Sequence, residues 1–245
     1  MITGIIVALP EELATLTRNK IATGSCTSLS ANVMVACAGA GVDNACRAAR
    51  LLIEKGCTRL VSWGCAAALD TSLQPGDLLV PEVLIAENKE QFFVDARWHR
   101  QTIARLTAAC ELSTLPICES SQLVATSRAK QALRETHHCF AVDMESVAIA
   151  RTALQNDISF LAVRSIADPA GMDLPKAVSH ALNDQGRVEI LRLMSFIARH
   201  PMEIPGLIKL GLHFHAATNK LRHIARNLQW AVSLPADQTE ICQQP

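Results

Sequence analysis

Glu145 follows Val142-Asp143-Met144 and precedes Ser146 and the apolar run Val147-Ala148-Ile149-Ala150. A carboxylate with apolar neighbours needs a polar partner, and two hydroxyls of a sugar would supply one. Arg164 stands in the middle of the strand-like run Phe160-Leu161-Ala162-Val163-Arg164-Ser165-Ile166, where a guanidinium is costly unless an anion or a carboxylate meets it. Asp168 lies at the exit of that run, and open α/β sheets bind ligands outside the carboxyl ends of their strands. Glu11-Glu12 follow the first apolar run; the dipole of a helix accounts for acidic residues in its first turn, so alone this pair carries little. Gly39-Ala40-Gly41 reads as a tight turn at a helix N-terminus, able to hold a water, a phosphate or a hydroxyl. It is not a dinucleotide fingerprint. The third glycine position is Asn44, and the next strand ends in Gly64-Cys65 where an acidic residue would bind ribose.

These residues need a scaffold that brings strand exits together. Short apolar, β-branched runs at 2–9, 32–38, 58–63, 77–85, 140–143 and 158–166 read as strands. Helical periodicity fills the intervals: a helix opened by Pro10, one capped by Asp43 with Ala45, Ala48, Ala49, Leu52 and Ile53 on one face, then 96–110, 127–135, one from Met144, and 176–198. Strands alternating with helices predict a three-layer α/β/α fold around a mixed, twisted sheet with both faces covered. Glu12, Cys65, Glu145, Arg164 and Asp168 then fall at the exits of successive strands, a convergence typical of a site.

Composition agrees with a globular α/β domain. The 245 residues are 49% hydrophobic but only 4% aromatic, with no Tyr, so aliphatic side chains must build the core. Lys+Arg and Asp+Glu each total 23, and a balanced charge gives no field for nucleic acid. The nine cysteines are odd in number and lack any C-x-x-C pair, which argues against a disulfide framework or a zinc site and for a reducing, cytoplasmic compartment. No metal is expected. Glu11-Glu12 directly after the first apolar run, with no basic segment before it, makes that run a strand rather than a signal peptide.

The motifs Gly4-Ile5-Ile6-Val7-Ala8-Leu9-Pro10-Glu11-Glu12, Gly39-Ala40-Gly41, Trp63-Gly64-Cys65-Ala66-Ala67-Ala68-Leu69 with Gly76-Asp77, Val142-Asp143-Met144-Glu145-Ser146 and Arg164-Ser165-Ile166-Ala167-Asp168 occur in this order. Together they resemble the phosphorylase superfamily that includes methylthioadenosine/S-adenosylhomocysteine nucleosidase. The resemblance implies cleavage of a purine nucleoside's N-glycosidic bond, with no cofactor and a homodimeric assembly. It implies that Glu12 is the base activating water, that Met144 and Glu145 grip the ribose, and that Asp168 is the acid protonating purine N7. Arg164 would hold Glu12 and the water, and Cys65 and Ala66 would form a turn beneath the reaction centre. Such cleavage passes through an oxocarbenium-like sugar and needs help at both ends of the breaking bond, so two carboxyls must titrate apart.

Three departures bear on the pocket. Cys65 replaces the family's usual Ser, Ala66-Ala67-Ala68 replace glycines, and Ala167 replaces the Ser before the acid, which alters contacts to the purine more than to the ribose. The Gly-Asp-Pro-x-Arg phosphate loop of the superfamily's phosphorylases is absent, which favours water as nucleophile.

Residues 1–198 thus read as the catalytic domain and 199–245 as a basic, amphipathic helical extension that the short nucleosidases lack. Between Ile204 and Ala236 there is no Asp or Glu, while Leu207, Leu210, Phe214, Ala217, Leu221, Ile224 and Leu228 form one apolar stripe. Lys209, Lys220, Arg222 and Arg226 accompany it. The stripe suits either packing on the body or peripheral contact with the inner face of a membrane. The tail resembles the hopanoid-associated branch, whose substrate is the lipid-linked nucleoside adenosylhopane. A soluble nucleosidase or phosphorylase for methylthioadenosine-type nucleosides, or an inactive binding protein on the same fold, are the alternatives.

Overall fold

The computed structural model describes residues 1–181, 195, 196 and 199–228. Its strands are β1 (Thr3–Val7), β2 (Ser25–Ser30), β3 (Val33–Cys37), β4 (Arg59–Ala68), β5 (Leu78–Leu79), β6 (Val83–Ile85), β7 (Gln91–Phe93), β8 (Ile117–Glu119), β9 (Ala141–Asp143) and β10 (Ser159–Asp168). Its helices are α1 (Pro10–Leu13), α2 (Val42–Glu54), α3 (Ala96–Leu106), α4 (Ser127–His137), α5 (Ser146–Gln155), α6 (Lys176–Ala181) and α7 (Ile204–Leu228). All ten strands belong to one mixed sheet, ordered β2-β3-β1-β4-β9-β8-β6-β7, with β10 paired to β4 and β5. β3, β1, β4 and β10 run parallel, whereas β2 joins β3, β5 joins β10 and β9 joins β4 antiparallel; β9 and β8 are parallel to each other.

β4 and β10 lie at the centre and are buried along almost their whole length, as near-continuous apolar runs require when helices cover both faces. α2 and α5 pack on each other over one face, and α3 packs with α7 over the other. The buried face of α2 is Ala45, Ala48, Ala49 and Leu52, the face its spacing predicts. The small side chains there let α2 approach β1 and β3 closely.

Several boundaries differ from the sequence reading for identifiable reasons. β4 continues past Trp63 to Ala68, because β10 pairs with it through Ala67 and hydrogen-bonds the glycine and alanines into the ladder. The segment 77–85 is two strands, β5 and β6, separated at Pro81, which has no N–H to donate. β2, β7 and β8 have no signature of their own: β2 is a largely polar edge strand, and the other two span three residues each. Gly41, not Asp43, caps α2, with φ of 96°, a conformation natural only to glycine. α5 begins at Ser146 rather than Met144. Of the helix expected over 176–198, α6 accounts for the first turns; residues 182–194, 197 and 198 lie outside the described residues.

α7 packs across β10, β4, α3 and α1. Ala217, Leu221 and Ile224 are fully buried, so the second half of the apolar stripe is a packing face rather than a surface for a bilayer. Leu207, Leu210 and Phe214 are half-buried. The side chain of Leu228 lies outside the described residues. A different apolar line, Ile204, Ile208 (60% exposed) and Leu212 (65% exposed), faces outward at i, i+4 and i+8. Among the described residues no helix is long and apolar enough to cross a membrane.

Candidate functional site

The site grows out of an interruption at β4. β1 pairs with β4 only as far as Ser62, and β9 takes over the same edge at Ala67. Between them the Cys65 N–H has no strand partner and donates instead to Glu12 Oε1 at 2.8 Å. Glu12 Oε2 accepts from the N–H groups of Ala8 (2.9 Å) and Leu9 (3.0 Å), at the turn where Pro10 opens α1. Gly64 is obligatory here: a Cβ would strike the Glu12 carboxylate and come within 2.5 Å of Arg164 Nη1. Burial raises the proton affinity of Glu12, against Arg164 and the three N–H groups, which lower it.

Arg164, on β10, is fully enclosed. Its Nε donates to Asp143 Oδ2 at 2.6 Å, and Nη2 donates to Ser62 Oγ (2.6 Å) and Ser146 Oγ (3.0 Å). Nη2 also stands 4.0 Å from Glu145 Oε2. The ion-pair partners of Arg164 are therefore Asp143 and, at longer range, Glu145, not Glu12; the Glu12 carboxylate and Arg164 Nη1 both lie against Gly64. Asp143 is the residue that sequence reasoning undervalued. Its Oδ1 accepts from the N–H groups of Glu145 (3.2 Å) and Ser146 (3.0 Å), and Oδ2 also takes the Ser146 hydroxyl, so it caps α5 and neutralises Arg164 at once. The signal available was an acidic residue closing a strand three positions before a serine.

Glu145 Oε1 accepts from the Gly41 N–H at 2.9 Å, which joins the entries of α2 and α5. The glycine turn thus spends this donor on Glu145 rather than on a ligand. Burial first, then repulsion from Asp143, push the Glu145 carboxyl up to about 7, against Arg164 and the Gly41 N–H, with Glu12 adding to the rise. Met144, half-buried, stands beside it. Cys65 and Ala66 are consecutive residues of β4, not of a turn. Burial, with Glu12 next, holds the Cys65 thiol well above its usual range, so it is a neutral thiol and no nucleophile.

Asp168 closes β10 beyond a bulge: Ile166 pairs with Ala66 and Asp168 with Ala67, leaving Ala167 as the extra residue, a device that re-aims the following side chain. Its Oδ1 accepts from Lys130 Nζ at 2.7 Å. Burial raises its proton affinity, Lys130 lowers it, and Asp173 adds slightly to the rise. Lys130 escaped the sequence reading, because a lysine on an amphipathic helix is ordinarily solvated. The expected residues therefore form two groups. Glu12, Glu145 and Arg164 share one electrostatic cluster around Asp143, while Asp168 answers to Lys130 at the adjoining strand end.

A parallel-centred α/β/α sheet that gathers carboxyls of two environments at its strand exits defines an enzyme of the nucleosidase and nucleoside phosphorylase class. Residues 3–192 match the family model of the phosphorylase superfamily, and the chain belongs to that superfamily. The 5'-methylthioadenosine/S-adenosylhomocysteine nucleosidase of Staphylococcus aureus (strain MRSA252) is 26% identical over 201 residues, covering 68% of this chain and 86% of the relative. The corresponding nucleosidase of Helicobacter pylori, solved with butyl-thio-DADMe-Immucillin-A, has the same fold: TM-score 0.69 at 17% identity, over 94% of this chain and 97% of that one. Futalosine hydrolase of Helicobacter pylori strain 26695 superposes with a TM-score of 0.67 at 16% identity, over 94% and 97%. Alignments of that extent cannot stop at residue 198, so part of the C-terminal segment has a counterpart in these shorter enzymes.

Proposed function

We propose that this enzyme hydrolyses the N-glycosidic bond of a purine nucleoside, with Glu12 as the base for water, Glu145 and Met144 on the ribose, and Asp168 as the acid for the departing purine. The observation that carries the reading is the separation of the carboxyls. Glu12 and Glu145 face one buried guanidinium, and Asp168 faces an ammonium in its own compartment. Two carboxyls in different fields can be base and acid at one pH, which is what assistance at both ends of a breaking glycosidic bond demands. Arg164 acts from behind, holding the cluster through Asp143 while its Nη1 edge faces Glu12. Cys65 contributes its N–H to Glu12, and Ala66 lies beside it in the floor of the site.

The substrate we propose is adenosylhopane, with release of adenine in hopanoid biosynthesis by a cytoplasmic homodimer. Within the C-terminal segment, the outward first half of α7 would touch the membrane from which the lipid-linked nucleoside is drawn. The resemblance of the tail and the outward line Ile204, Ile208 and Leu212 support this reading. A soluble methylthioadenosine-type nucleoside is the alternative favoured by the named Staphylococcus aureus relative.

Incubation of the purified enzyme with adenosine-type nucleosides of differing 5′ substituents, with and without phosphate, tests both levels. Free base and free sugar in phosphate-free buffer are expected, with adenosylhopane preferred. Strict phosphate dependence with sugar 1-phosphate as product would make the chain a phosphorylase, and a preference for methylthioadenosine would establish the alternative.

A further inference from the structure

Lys130, on α4, has no exposed surface. An ammonium taken out of water is tolerated only where anions and carbonyls replace its hydration. All three of its N–H bonds are engaged: to Asp168 Oδ1 (2.7 Å), the Pro169 carbonyl (2.9 Å) and the Met172 carbonyl (2.8 Å). The start of α4 grips the same loop, with the Ser127 N–H donating to Asp173 Oδ1 at 2.6 Å and the Leu174 N–H donating to the Ala125 carbonyl at 2.8 Å. The loop after β10 is thus already fastened by backbone and carbonyl contacts. The bond to Asp168 is the one for which a cation matters. Among the described residues Asp168 Oδ2 takes no hydrogen bond, so within them the carboxyl is held by one oxygen.

We propose that Lys130 is a positioning residue for the reaction: it fixes Asp168 by Oδ1, presents Oδ2 to the leaving purine, and stabilises the carboxylate that Asp168 becomes. This rests on Asp168 being the acid. As the C1′–N9 bond breaks, its electron pair passes to the base and the proton on Oδ2 passes to N7. The water oxygen bonds to C1′, and its proton goes to Glu12. Asp168 acquires its negative charge only as the proton leaves, and that charge appears 2.7 Å from a fixed ammonium in a dry setting, where such stabilisation is greatest. Among the described residues the charged groups that face Asp168 are Lys130 from α4 and, more weakly, the exposed Asp173 from its own loop.

The test compares two ribosides. Adenosine needs a protonated leaving group, whereas a 4-nitrophenyl riboside releases a stable phenolate without an acid. In Lys130→Met the ratio of kcat/KM for adenosine to that for the nitrophenyl riboside should fall at least about tenfold, since positioned acid catalysis is worth about 10²–10⁴. Asp168 is active when protonated, so activity on adenosine declines as pH rises through its pKa. Without the ammonium that pKa rises, and the alkaline limb should move up by roughly 1–3 pH units. Lys130→Arg, which keeps the charge but displaces it, should leave the limb in place and still lower the ratio; it carries the test if Lys130→Met does not fold. Equal losses on both ribosides with an unmoved limb would overturn the proposal and leave Lys130 a loop anchor. Asp168→Asn separates this from the wider reading. If that variant keeps its adenosine-to-nitrophenyl ratio, Asp168 is not the acid; if the ratio collapses there but not at Lys130, the lysine proposal alone fails.

Discussion

Glu145 lies between opposed fields, with burial and the neighbouring carboxylates on one side and Arg164 with the Gly41 N–H on the other. Its proton is retained up to about 7 in the folded protein, against 4.5 for an ordinary glutamate. The folded state therefore binds that proton more tightly than the unfolded chain, and the associated stability, full below about 4.5, is lost as pH rises to about 7. Glu145→Gln mimics the protonated form. It should match wild type near pH 4 and exceed it at pH 8 by roughly 1–3 kcal/mol in denaturant melts; lower stability at pH 8 would show that Arg164 dominates instead. The same group should govern binding: an ionised Glu145 accepts from two ribose hydroxyls, so KM should fall as pH rises through about 7, and the Gln variant should lose that dependence. Asp168→Asn is expected to fold and to lose turnover by about 10²–10⁴. Retention of more than about half of wild-type kcat would remove Asp168 from the acid role.

At the scale of elements, β4 decides the site. Its glycine lets Glu12 and Arg164 approach each other, and the gap between β1 and β9 along one edge frees the Cys65 N–H for Glu12. Gly64→Ala should displace the Glu12 carboxylate, because the added Cβ would strike both it and Arg164 Nη1, and kcat should drop by at least about two orders of magnitude. Near-normal kinetics would mean that Glu12 need not sit where it does. α5 and β10 are joined by Asp143 with Arg164, and removing one partner strands a buried charge. Asp143→Asn should cost about 3–5 kcal/mol in equilibrium unfolding; a loss below about 1 kcal/mol would indicate that Ser62, Ser146 and Glu145 suffice to hold Arg164.

For the whole molecule the question is what α7 faces. Its Ala217, Leu221 and Ile224 belong to the core, so the apolar line left open to a surface is Ile204, Ile208 and Leu212 of the first half, beside exposed Lys209. Binding to anionic but not neutral vesicles is expected, weakened by salt and by replacing Lys209, Lys220, Arg222 and Arg226 with Gln, at roughly 1 kcal/mol for each residue near the surface. Ile208→Ser with Leu212→Ser should abolish it, while turnover of a soluble nucleoside persists, since both residues point away from the body. Equal binding by wild type and these variants would end the membrane role.

The alternation of apolar runs with helical periodicity was enough to specify the layered α/β fold. The ordered motifs were enough to specify the superfamily, because burial patterns and glycine turns are local properties written in neighbouring residues. The sequence also marked Glu145 and Arg164, since a charge in an apolar run demands a partner wherever the run is placed, and Asp168 by its place at a strand exit; Glu12 stood out only through the family motif. It did not contain the pairing itself. That Arg164 answers to Asp143, that Gly41 serves Glu145 and that Lys130 serves Asp168 are contacts across 21, 104 and 38 positions of chain, set by strand order and register. Nor did periodicity say whether the apolar stripe of α7 would meet the body or a membrane. Both are compatible with a helix, and only the sheet beneath it, β10 above all, buried the second half of that stripe.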